Sequence, residues 1–105
     1  MDAIDAICQV PGLDGVAVGA YDLAASMGHP GQPWRDDVQG VVERVLQTCR
    51  RHRMPFGTVP RDRADLRRQI ERGCQLITVS TVEWGIQATR DVVTELGGLG
   101  PRASG

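Results

Sequence analysis

The stretch PFGTVPRDRADLRRQIERGCQLITV, residues 55–79, decides the architecture. Its two ends, Pro55–Val59 and Gln75–Val79, are short apolar runs, the second rich in β-branched side chains, and each reads as a strand. Between them, Asp62 to Arg72 reads as a helix, opened by Asp62 or Asp65 and closed by Gly73. A strand, a helix and a second strand in immediate succession form a crossover unit. Its two strands lie parallel, and the connection is right-handed.

The same alternation extends outward in both directions. Upstream, Asp36 to His52 carries Val38, Val41, Val42, Val45, Leu46 and Cys49 at helical spacing, with Asp36 and Asp37 at its positive end. Arg50, Arg51, His52 and Arg53 suit the negative end of this helix, and Pro55 prevents it from continuing. GVAVG, 15–19, reads as another buried strand. Residues 2–9 place Ile4, Ile7 and Cys8 on one face of a first helix that Pro11-Gly12 ends. Downstream, Thr81 to Leu96 reads as a last helix that packs through Trp84, Ala88, Val92, Val93 and Leu96. The pattern predicts an α/β fold whose parallel strands are covered by helices, over 1–97, followed by a flexible tail, 98–105. Three strands leave two edges without partners, which compact proteins normally cover or close.

Bulk composition excludes several classes of function. Twelve basic residues against 13 acidic ones leave a net charge of −1, so no field favours nucleic acid. The arginines of RDRADLRRQIER, 61–72, alternate with acids and lack interleaved aromatics, the mark of a solvated helix face. No long apolar run and no leader pattern are present, which predicts a cytoplasmic protein with no membrane partner. Cys8, Cys49 and Cys74 are odd in number and set in apolar surroundings, so they read as buried reduced thiols. Every basic residue is Arg. Without lysine, the chain has no amine for Schiff-base chemistry or for a P-loop, and no strand is followed by a dinucleotide-binding glycine pattern.

One block is more specific. PGLDGVAVGAYDLAASMGHPG, residues 11–31, resembles the HpcH/HpaI aldolase family, and the likeness extends through DDVQGVVERVLQTCRRHRMPFGTV and IERGCQLITVSTVEWGI. The resemblance implies the last three βα units of a (β/α)8 TIM barrel. It also implies metal-dependent cleavage of 4-hydroxy-2-oxo acids to pyruvate and an aldehyde, with magnesium, manganese or cobalt as the divalent cation. By position, Asp22 matches the metal-binding aspartate, and the backbone amides of Tyr21 and Asp22 match those that hold the pyruvate carboxylate. A hard cation prefers carboxylate oxygens, and barrel sites sit at the C-terminal ends of strands, where Asp22 falls.

The family's glutamate ligand, histidine base and substrate-binding arginine match no position here, so no catalytic residue is assigned. The chain is expected to be incomplete and inactive alone, needing a complementing N-terminal barrel portion or self-association. Ala20 and Ala24 stand where the family has proline and serine, and Ser80 and Val82 where it has glycine and aspartate. From the residues alone, Asp22 reads first as the cap of a short helix over Leu23–Ser26. His29 reads as a loop imidazole, Trp34 and Trp84 as packing residues, and Glu83 as a helix-start carboxylate. The rival to an aldolase portion is a non-catalytic α/β piece that self-associates through its open sheet edges.

Overall fold

The computed structural model describes residues 3–98. Its elements follow the order α1 (Ala3–Cys8), β1 (Val16–Ala17), α2 (Ala20–Ser26), α3 (Asp36–Arg51), β2 (Phe56–Thr58), α4 (Arg63–Glu71), β3 (Leu76–Ile77) and α5 (Thr81–Gly98). The three strands form one parallel sheet in the order β1-β2-β3, with Val16 opposite Phe56 and Gly57 opposite Leu76. The strands are shorter than their apolar runs. Ladder bonds still continue past them, from the Val18 N–H to the Gly57 carbonyl and from the Thr78 N–H to the Thr58 carbonyl, each 3.1 Å.

Only the central strand is buried along its whole length; Leu76 of β3 is 55% exposed. The burial expected of the strand at 15–19 is not met by β1, which is half-buried at Val16 and exposed at Ala17. Phe56 anchors the core with Val42, Leu46 and Cys49 of α3 and with Cys8 and Cys74. Ile4, Val16, Leu23 and Ile77 close around this cluster. Ile7, expected beside Ile4 and Cys8, is exposed instead, since the face of α1 that meets α3 is the one carrying Cys8.

Both long-helix ends close in the same way. The Met54 N–H bonds the Cys49 carbonyl and the Arg53 N–H bonds that of Arg50; at the end of α4, Cys74 and Gly73 do the same to Gln69 and Ile70. This closure places one residue in the left-handed region. Gly73 takes it at φ 93°, and Arg53 takes it without being glycine, at φ 56°.

The last helix departs most from expectation. No residue of α5 is buried, and Val92, Val93 and Leu96, expected as its packing face, are more than half exposed. Trp84, half-buried, and Ala88, the first residues of that face, share a groove with Arg63 and Ala64 of α4, but the residues beyond them are exposed, so the rest of the periodicity has nothing to pack on. The molecule is correspondingly long, 68 × 28 × 19 Å.

Candidate functional site

The segments that follow β1, β2 and β3 lie together at the C-terminal rim of the sheet. After β1 the chain passes Val18 and Gly19 and enters α2 at once, so Tyr21 and Asp22 are its second and third residues. The cap position belongs to Gly19, which offers no side chain, and so Asp22 is not the cap. Its carboxylate folds back over Gly19 instead: a methyl group on Gly19 would stand 3.0 Å from Asp22 Oδ2. Asp22 is exposed at the rim. The first amides of any helix lack an intrahelical acceptor, so those of Tyr21 and Asp22 have none within α2.

After β2 the loop is fixed by Asp65. This carboxylate is 5% exposed, and its Oδ2 accepts the Arg61 backbone N–H at 2.7 Å. Oδ1 accepts from Gln69 Nε2 at 3.1 Å and from Arg68. Burial works to raise the pKa of Asp65, but the Arg61 amide, Arg68 and Gln69 together hold it below its ordinary value. Asp62 caps α4, its Oδ1 accepting the Asp65 N–H at 2.8 Å. After β3, Ser80 Oγ accepts the Glu83 N–H at 3.2 Å, capping α5. Ser80 thus has a local role at the start of α5.

Between these segments lies an open groove of about 340 Å³, lined by Tyr21, Trp34 and Arg61 together with Glu83, Ile86, Gln87 and Arg90. The Arg61 guanidinium lies over the Trp34 ring, 5.5 Å from its centroid. Glu83 lines this groove and Asp22 does not. His29 also turns elsewhere, its Nε2 3.4 Å from Asp37 Oδ2. Arg35 beside Asp37 lowers that carboxylate's pKa, with further help from the Val38 amide. His52 sits at the other end of the molecule's core, 3.0 Å from Asp5 Oδ1, and this bond is the first cause of the lowered Asp5 pKa.

All three cysteines are buried and free. Cys8 and Cys49 stand 3.9 Å apart, and burial, followed by the neighbouring thiol, pushes Cys49 up to about 11, so it is a poor nucleophile. A hard divalent cation needs several oxygens, and no group of three or more His, Cys, Asp or Glu able to hold a metal ion exists among the described residues. Asp22 alone does not make a metal site. Nor is any helix among the described residues long and apolar enough to cross a membrane.

The sequence reading overlooked Arg61 and Asp65 as a unit. The signal was present as D-x-x-D over Asp62 to Asp65, in which one acid caps and the next turns inward. It also missed S-x-x-E over Ser80 to Glu83, the pattern of a capping box.

The family described as HpcH/HpaI aldolase/citrate lyase matches residues 1–86. A hydroxypyruvate/pyruvate aldolase of Cupriavidus necator is 42% identical over 74 residues, 70% of this chain and 28% of that protein. A 5-keto-4-deoxy-D-glucarate aldolase of Salmonella arizonae is 37% identical over 81 residues, 77% of this chain and 32% of the other. The chain thus spans about a third of the length of these curated relatives. A HpcH/HpaI aldolase/citrate lyase family structure from Burkholderia cenocepacia J2315 superposes with a TM-score of 0.76 at 35% identity, covering 89% of this chain and 37% of that one.

Proposed function

Because this chain belongs to the HpcH/HpaI aldolase/citrate lyase family, we propose that it forms the C-terminal part of a divalent-metal-dependent aldolase acting on 4-hydroxy-2-oxo acids. The observation that carries the reading is the position of Asp22. It lies exposed in the first turn of α2, directly beyond the C-terminal end of a parallel strand, which is where barrel enzymes place their chemistry. In this reading the amides of Tyr21 and Asp22 hold the carboxylate of the pyruvate moiety. Asp22 contributes one oxygen donor to a cation (magnesium, manganese or cobalt) whose other ligands lie outside these residues. No reaction step is assigned to the chain alone.

Pyruvate release from a 4-hydroxy-2-oxo acid, with each of the three metals, is the direct test. The 105-residue chain alone releases none; mixed with the N-terminal portion of a relative's barrel it releases pyruvate, and Asp22→Ala removes that activity. Turnover that survives Asp22→Ala would falsify the reading.

A second reading is favoured by the unpartnered sheet edges of β1 and β3 and by the unburied α5. In it the chain is non-catalytic and associates with copies of itself. The two readings separate in the mixing experiment, since a purely self-associating piece never gains activity.

A further inference from the structure

Two of the three buried thiols face each other where α1 meets α3. Cys8 Sγ and Cys49 Sγ stand 3.9 Å apart, inside the cluster that Val42, Leu46 and Phe56 complete. A second contact, one turn away, fixes the register that opposes them. Asp5 Oδ1 lies 3.0 Å from His52 Nε2 and 3.5 Å from Arg51 Nη2. Asp5 and Cys8 are spaced i, i+3 on α1, as Cys49 and His52 are at the end of α3, and residues at that spacing share a helix face. Residue number rises along α1 as it falls along α3, so the ion pair and the thiol pair together seat one helix antiparallel on the other. Cys74, the third thiol, is turned to Gln69 Oε1 at 3.6 Å and takes no part.

We propose that Cys8 and Cys49 form a reversible redox site, a dithiol that hydrogen peroxide converts to a disulfide stapling α1 to α3. The sulfurs of a disulfide lie about 2.0 Å apart, so the pair has about 2 Å to close. That movement falls to α1, a helix of six residues in which Cys8 is the last and the buried one. The two cysteines differ in the step each can take. Burial pushes Cys49 up to about 11 and encloses it fully, whereas Cys8 is 8% exposed. Cys8 therefore attacks first. Its sulfur bonds to one peroxide oxygen, the O–O bond breaks, and the second oxygen leaves as water with the thiol proton. Cys49 Sγ then attacks the sulfenic sulfur of Cys8; the S–O bond breaks, and hydroxide leaves with the Cys49 proton as a second water. Two thiols lose two electrons and two protons, and one peroxide becomes two waters. The bridge encloses β1 and α2, and so holds the segment carrying Tyr21 and Asp22 between two fixed points. Nothing in this chemistry depends on the aldolase reading.

Peptide mapping of the 105-residue chain, after peroxide treatment and blocking of free thiols, is the test. Trypsin cleaves after Arg35, Arg44 and Arg50, so the bridge joins peptide 1–35 to peptide 45–50 with loss of two hydrogens, while Cys74 stays a thiol in peptide 73–90. In an unfolded chain loop closure favours the shorter span from Cys49 to Cys74, so the same treatment in concentrated urea is expected to lose the Cys8–Cys49 preference. The oxidised chain should unfold at a urea midpoint about 1 M above the reduced one, and a thiol reductant should return it. Cys8→Ala should form no internal bridge and leave Cys49 a thiol, with the far-UV circular dichroism unchanged. A Cys49–Cys74 bridge in the folded chain, bridges between copies only, or an unchanged preference in urea would each overturn the proposal. So would a sulfinic or sulfonic acid at Cys8 in place of the bridge, or a lower midpoint after oxidation.

Discussion

Arg53 holds the end of α3 in the left-handed region, at φ 56°, a conformation that costs a residue with a Cβ about 1–2 kcal/mol. Its equivalent at the end of α4 is Gly73, where the same closure is unstrained. Arg53→Gly is therefore expected to stabilise the chain by about 1 kcal/mol, read as a higher urea midpoint with unchanged slope. Asp65 works in the opposite sense. Its carboxylate satisfies the Arg61 amide and the Gln69 side chain in a buried position, so Asp65→Ala should cost about 1–3 kcal/mol. Because the fold holds its pKa below 3.8, its contribution is complete above that value and drains away as pH falls through the lowered one. Urea titrations from neutral to about pH 3 should show that Asp65→Asn flattens the acid side of the stability curve. The D-x-x-D spacing within RDRAD carries only half of this. The sequence marks Asp62 and Asp65 as helix-opening acids, but only the closing of the loop after β2 decides which caps and which is buried.

At the scale of elements, the strand–helix–strand unit over 55–79 was legible because period and punctuation agreed: apolar runs, a capped helix and a glycine at its end. Strand lengths were not legible, since pairing with a neighbour, rather than apolarity, determines where a strand stops. Gly57 shows how tightly β2 and β3 pair. A Cβ there would meet the Leu76 Cβ and the Leu76 carbonyl oxygen at 3.0 Å, and the carbonyl belongs to the backbone and cannot yield. Gly57→Ala should cost about 1–3 kcal/mol, measured by denaturant unfolding, with reduced cooperativity where β3 loosens. Helix α4 is fastened to α3 by charge as much as by packing. Arg72 pairs with Glu43, and Arg50 donates to the Arg72 carbonyl, while Ile70 remains exposed.

The molecule as a whole is more extended than its length warrants. Its radius of gyration is 18.2 Å, against about 13 Å for a compact domain of 100 residues. The excess lies in α5, which leaves Val82, Ile86, Val92, Val93 and Leu96 exposed, and two sheet edges add to the unpaired surface. The purified chain is accordingly expected to scatter light as a species heavier than one copy, and Val93→Asp to lower that mass. A sharp single-copy peak with cooperative unfolding would show that the surface needs no cover. The amino-acid sequence by itself determined the order of elements, the parallel sense of the strands and the reduced cysteines, because each is encoded in local spacing, while the block that carries Asp22 was legible only through its family resemblance. What lies against what was decided only in three dimensions: the Asp65 burial, the stacking of Arg61 on Trp34, and the naked face of α5. Periodicity states which face of a helix is apolar, whereas burial depends on whether another element arrives to meet it.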